Sequence, residues 1–320
     1  MIHPVTPGAA PTLIDSHLHL VDFLQNTDGI QALIRRMDEA GISRAVLFGM
    51  PLVKKWNAFD PREPRYYLED NARCYYYTFT DQLVVEAYQS LDESQRTRFA
   101  PLMCGFNPTD KHGVRHLERL YRQFPDWRGV GEVLLRHDDL TNLTFEEAAR
   151  ANHPAMTPVY DFCVAHSLPL LMHQNSTSVG CPTEYVYLHE LEEVLDRYPQ
   201  LTLVWAHCGL SRRVYHDLYH EMIARLLRSY PRLHVDLSWV GYDDVMCRGG
   251  VIRTEWLELV ERFANQVLLG SDLVGHFDNL GATMRRYDGL LSGLTAATRQ
   301  KVAWGNAGRL FFPDLRGASN

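Results

Sequence analysis

Leu13-Ile14-Asp15-Ser16-His17-Leu18-His19 is the first apolar run of the chain, and two histidines close it one residue apart. A strand turns successive side chains to opposite faces, so as a strand this run sets both imidazoles on one face, where they can grip one metal ion. The next segment has helical period: Ile30, Leu33, Ile34 and Met37 form one stripe, and Gly41 stops it. A strand followed by a helix is therefore the unit to seek in the rest of the chain.

The unit recurs. Strands are expected at Thr12 to Ser16, Arg44 to Gly49, Ala100 to Phe106, Gly129 to Leu135, Pro169 to His173, Leu201 to His207, His234 to Trp239 and Val267 to Ser271. Ala45-Val46-Leu47-Phe48 and Val267-Leu268-Leu269 are apolar at every position, as parallel strands covered on both faces are. Leu117, Leu120, Tyr121 and Phe124 precede Pro125, and Leu188, Leu191, Leu195 and Tyr198 precede Pro199; Thr254 is placed to cap a helix carrying Trp256, Val260 and Phe263. Eight such units, with no glycine-rich phosphate loop after the first strand, favour a (β/α)8 TIM-type barrel over an open doubly wound sheet. No linker, charge block or low-complexity tract divides residues 1–320, so one domain is expected.

Composition narrows the function classes. With 46% apolar and 22% charged residues the chain reads as soluble and globular, and no run reaches the roughly 18 apolar residues of a membrane span. Met1-Ile2-His3-Pro4-Val5-Thr6-Pro7-Gly8 lacks the cationic start and apolar stretch of a secretory signal, which points to the cytoplasm. The six cysteines are scattered without a C-x-x-C pair and read as reduced thiols. Thirty-nine acidic against 32 basic residues make a field that repels a phosphate backbone, so nucleic acid is not expected as a partner. A small-molecule substrate is, and assembly into a homo-oligomer is left open.

A barrel gathers the carboxyl ends of its strands around one axis, and the metal-type side chains of this sequence fall there. His17 and His19 end the first strand; Glu132 lies on the fourth; His173 ends the fifth, His207 the sixth and Asp272 the eighth. Asp272 directly follows an apolar strand and needs a metal or a histidine to neutralise it. The competing reading of Glu132 is an ion pair with Arg136 or a loop lysine, which would leave one metal rather than two.

The order of these motifs resembles the amidohydrolase superfamily, and within it the amidohydrolase-related branch of hydrolases, lactonases and decarboxylases. The matching features are the His17-x-His19 pair, Glu132, His173, His207 in Ala-His-Cys-Gly and Asp272 in Gly-Ser-Asp, and the likeness extends to Trp304-Gly305-Asn306-Ala307-Gly308-Arg309-Leu310-Phe311, where Asn306 looks like a helix cap. The resemblance implies a barrel enzyme that activates water on a divalent metal. Members with two metals often carry a carboxylated lysine on the fourth strand; Glu132 takes that place here, as in members that bridge with a glutamate. The decarboxylases carry an acid next to the first-strand motif and lack a fourth-strand ligand; Asp15 keeps that option open, while Glu132 favours hydrolysis.

The expected site is then one or two divalent ions, zinc first and manganese next, with His17, His19 and Asp272 holding one, Glu132 bridging, and His173 and His207 holding the other. Asp272 would move the proton of the attacking water, and the metal or His207 would polarise the scissile carbonyl of an ester, lactone or amide. Two long connections, Pro51 to Asn71 and Val240 to Arg253, are lids and specificity elements or else surface insertions or oligomer contacts. Their cations and aromatics, with those beside them, make Lys54, Arg65, Arg73, Trp239 and Tyr242 the candidates to bind a small anionic or aromatic substrate. The alternatives are a nonoxidative decarboxylase and an inactive ligand-binding barrel. Of the other histidines, His216 and His220 sit four apart in an expected helix without a protease glutamate; they and His112, His116, His137, His153, His166, His189 and His234 read as surface, and His276 as a neighbour of the site. Cys208 reads as a small buried thiol.

Overall fold

The computed structural model describes residues 13–315 except 57–60, 65, 67, 70, 71 and 215. Its strands are β1 (Leu13–His19), β2 (Ile42–Phe48), β3 (Phe99–Met103), β4 (Gly129–Leu135), β5 (Leu170–Gln174), β6 (Leu203–Trp205), β7 (Leu233–Asp236) and β8 (Val267–Leu268), each pairing in parallel with the next. Past β8 the chain breaks at Gly270-Ser271-Asp272 and resumes as Leu273–Val274, which pairs with β1 at Leu18↔Leu273 and His19↔Val274. Main-chain bonds from Ser16 N–H to Leu269 O (2.9 Å) and from Asp272 N–H to His17 O (2.8 Å) span the break. The sheet thus ends on the segment with which it begins, and the (β/α)8 barrel is closed.

Alternation along the strands sorts the core into two layers. Ile14, Val46, Phe48, Ala100, Leu102, Leu171, Val204 and Leu268 fill the barrel, while Ala45, Leu47, Leu170 and Met172 face the helices outside. Ala307 and Phe311, on the last helix (Asn306–Phe311), join the inner cluster. Ile14 points inward and Leu18 outward, which strict alternation forbids; a register slip between Asp15 and Leu18 resolves it and turns His17 and His19 inward.

The helices correct three expectations. Thr254 is the first residue of its helix and caps nothing, and Asn306 spends its amide on Ala264 O (2.7 Å) and Val267 O (2.8 Å), pinning the last helix to the barrel instead of capping it. His216 lies before the helix Tyr219–Ser229 that carries His220 and stacks on Tyr185, so the two do not form a helical pair. Leu52–Lys54 and Cys74–Tyr76 pair as an antiparallel hairpin within the first long connection, and the second folds into a π-turn (Tyr242–Met246) and a short hairpin. All six cysteines are free thiols, and no helix among the described residues is long and apolar enough to cross a membrane.

Candidate metal centre

Four imidazoles and two carboxylates meet where the strands end. Glu132, from the middle of β4, is wedged among them: its carboxylate oxygens lie 3.6 Å from His17 Nε2, 3.3 Å from His19 Nε2, 3.4 Å from His173 Nδ1 and 3.5 Å from His207 Nε2. Asp272 Oδ1 adds contacts of 3.3 Å to His17 Nε2 and 3.5 Å to His19 Nε2. Gly131 lets Glu132 reach this position, because its φ is +139° and a Cβ there would collide with the Leu171 carbonyl. His207 and Cys208 take left-handed φ values of 55° and 53°, and Asp272 one of 55°. Such a concentration of sparsely populated backbone marks a place where side-chain aim outranks local comfort.

The outer nitrogen of each imidazole is occupied. His17 Nδ1 meets Asp236 Oδ2 at 3.1 Å, His19 Nδ1 meets Gly49 O at 2.8 Å, His207 Nδ1 meets Ser238 Oγ at 2.7 Å and His173 Nε2 meets Asn175 Oδ1 at 2.9 Å. Phe48 packs edge-on against His17 and His19, with ring centroids 5.1 and 4.6 Å apart. With these outer nitrogens engaged, the other nitrogen of each ring is the one turned to the cavity, placed to ligate a metal in exchange for any proton it carries.

The residues fit a cation on three counts. His17 Nε2 and Glu132 Oε1 are buried without a hydrogen bond, although they face each other. The trios His17/His207/Asp272, His17/His19/Glu132 and Glu132/His173/His207 each bring three ligand atoms within 4.8 Å of one another. Imidazole and carboxylate donors suit zinc or manganese. The charges alternate as well. Burial pushes the Glu132 carboxyl up, but His17, His173 and His19 pull it well below the ordinary range; Asp272 is held down in the same way, chiefly against burial, by His207, His17 and His19. Burial opposes charge on His17 and His19 too, yet Glu132, Asp236 and Asp272 hold His17 well above the ordinary imidazole value, and Asp272 and Glu132 hold His19 above it.

A cavity of about 250 Å³ opens over this cluster, walled by His137, Tyr66, Arg212, Trp239 and His276. Of the expected substrate-binding residues that are described, Trp239 is found there and Lys54, Arg73 and Tyr242 are not. Lys54 is buried in the hairpin, Arg73 donates to Thr144 O (3.0 Å) and lies over Phe145, and Tyr242 is buried edge-on against Tyr287 behind the wall. Arg65 falls outside the described residues. His137, His153 and His234, read as surface, are buried. His137 stacks on His173 at 4.6 Å, and burial first, then His173, drives its charged form far out of favour, so it presents a neutral imidazole. It stands two residues past β4, and the strand-end rule applied to Leu135-Arg136-His137 identifies it. Arg212, five residues past His207, sits with its guanidinium 4.8 Å from the Trp239 ring and donates to Tyr66 Oη at 2.9 Å. Asp236 closes an otherwise ordinary strand, whose pattern does not single it out. Arg136 pairs with Glu190, not Glu132, which removes the surface-pair reading of Glu132.

Solved structures share this architecture. The chain is similar to 5-carboxyvanillate decarboxylase from Sphingomonas paucimobilis (14% identity, TM-score 0.56, 94% of this chain and 99% of that one). It is similar to a zinc-bound amidohydrolase from Burkholderia multivorans (14%, 0.56, 94% and 99%) and to a dihydroorotase from Campylobacter jejuni (17%, 0.56, 94% and 83%). At these identities the likeness is one of fold. No curated protein matches the chain. The family model described as Amidohydrolase matches residues 14–312, a span that runs from β1 to the last helix and takes in every candidate ligand at the strand ends, and the chain belongs to that metal-dependent family.

Proposed function

We propose that the protein is a metal-dependent hydrolase that opens an ester, lactone or amide bond of a small anionic or aromatic substrate. The observation that carries this reading is Glu132, one buried carboxylate within 3.6 Å of the His17/His19 pair and of the His173/His207 pair alike. A carboxylate so shared suits a bridge between two ions. His17, His19 and Asp272 would hold one ion and His173 and His207 the other, zinc first and manganese next. A bound divalent cation lowers the pKa of water to about 7 and polarises a carbonyl.

The chain supplies the rest. Asp272, kept ionised by its imidazole neighbours and 11% exposed, accepts the proton of the attacking water and returns it to the leaving group. His207 has its Nδ1 proton held by Ser238, whose hydroxyl is donated on to Asp236, so its cavity-facing Nε2 is a ligand atom rather than a donor to the carbonyl. Trp239 and the neutral His137 offer flat faces to a ring, and the Arg212 guanidinium beside Trp239 offers the fork that a carboxylate prefers. Asp15, which kept a decarboxylase open, accepts the main-chain N–H groups of His17 (3.1 Å) and Ser271 (2.8 Å) and so ties β1 to the barrel's closing segment beneath the site.

Elemental analysis with a panel of lactones, esters, amides and aromatic acids, read for acid and for carbon dioxide, tests the proposal. Acid release with about two ions per chain, lost on chelation and restored by zinc or manganese, is expected. Carbon dioxide from a protein holding about one ion would replace it with the decarboxylase, and absence of both turnover and metal with a ligand-binding barrel.

A further inference from the structure

We infer that Asp236 is a positioning residue that serves both halves of the metal cage at once, an inference resting on the proposed two-ion centre. It is wholly buried at the end of β7 and belongs to none of the trios able to close on one ion. Its Oδ2 accepts from His17 Nδ1 at 3.1 Å. Its Oδ1 accepts the main-chain N–H of His207 at 3.2 Å, that of Ser238 at 2.9 Å, and the Ser238 hydroxyl. The Ser238 oxygen in turn takes His207 Nδ1 at 2.7 Å. One carboxylate thus fixes the His17 ring directly and the His207 ring through both main chain and hydroxyl.

The main-chain contact has its own purpose. His207 and Cys208 sit in consecutive left-handed conformations, and Gly209 comes next at φ +68° with the Trp205 ring where a Cβ would be. Anchoring the His207 N–H holds the turn that aims the imidazole. A carboxylate only accepts, so His17 must carry its proton on Nδ1 and present Nε2 bare. In Asp236→Asn the oxygen best serves the two N–H groups and the hydroxyl, which turns the NH2 toward His17. Nδ1 must then accept, the proton moves to Nε2, and ligation is blocked, the tautomer error known from the serine-protease triad. Loss of Asp236 therefore weakens the ion that His17 holds and the ion that His207 holds, whereas loss of Ser238 disturbs His207 alone.

The test is zinc affinity rather than turnover: apo protein titrated with zinc against a chromophoric chelator, with ions counted by elemental analysis, for wild type, Asp236→Ala, Asp236→Asn and Ser238→Ala. Asp236→Ala, which removes both sets of contacts, is expected to lose about 10–100-fold in affinity at both ions, Asp236→Asn at the ion of His17 alone, and Ser238→Ala about tenfold at the ion of His207 with the other unchanged. Wild-type affinity at either ion in Asp236→Ala overturns the inference. If that variant does not fold, Ser238→Ala decides alone: an unchanged pair of affinities, or loss at both ions, overturns it. Failure of the metal-centre reading is told apart in the first arm, where wild type would take up no zinc.

Discussion

Glu132 Oε1 and His17 Nε2 face each other at 3.6 Å inside the barrel, and neither makes a hydrogen bond. Buried polar atoms left in this way are costly, and a cation between them answers both. Glu132→Gln should lower bound zinc from about two ions to about one and reduce kcat by at least about a hundredfold, more than the usual cost of losing an outer partner. Elemental analysis and turnover read the result, and full retention of both ions would remove the bridge.

Metal removal should cost stability as well as activity. Six ligand groups converge from the strand ends and the closing segment, so a cation bound by the folded state alone stabilises it by mass action. At free zinc about a thousand times its Kd the gain is about 4 kcal/mol. Calorimetry with and without a chelator should show Tm falling by several degrees; an unmoved Tm contradicts a tightly held ion.

His234, at the floor of the barrel, sets a pH dependence remote from the cavity. Burial first, then the Arg309 guanidinium, pushes its imidazole down from 6.5 to about 4. Above the ordinary imidazole value both folded and unfolded chains carry it neutral. Between that value and about 4 the unfolded chain takes up a proton that the folded one refuses, so stability is lost as pH falls. His234→Gln should flatten this window by about 3 kcal/mol in urea titrations at pH 7 and pH 4. Parallel curves for variant and wild type would show that His234 does not titrate there.

Arg136 grips both oxygens of the buried Glu190, Gln174 Nε2 donates to the same carboxylate at 2.8 Å, and the guanidinium covers the Tyr187 ring at 4.3 Å. Arg136→Met leaves that carboxylate without its cation and should destabilise the fold by about 3–5 kcal/mol. Urea unfolding measures it, and a change under about 1 kcal/mol would mean the pair is dispensable.

The convergence of the candidate ligands is legible from position. Each histidine or acid at the end of an apolar run is bound to share one rim once the runs close into a barrel, and β4 falls where expected, at Gly129–Leu135. Elsewhere β1 runs on to His19, β6 stops at Trp205, and the eighth strand splits, because slips and left-handed residues do not alter the apolar pattern. The walls of the cavity are hidden for a different reason. Arg212 and Tyr66 enter by loop paths that no periodicity encodes, and Lys54 is withdrawn by a hairpin whose partner strand begins only at Cys74. Asp236, in Leu-His-Val-Asp, has no local mark apart from the cost of burying an acid.

Asp272 sits in the gap between Val267–Leu268 and Leu273–Val274, the seam at which the last strand meets the first. A chain lacking that seam would still own its four imidazoles and Glu132, yet be without the acid proposed as the base. Barrel closure and the proposed chemistry thus share one joint, and whatever loosens that joint disturbs both together.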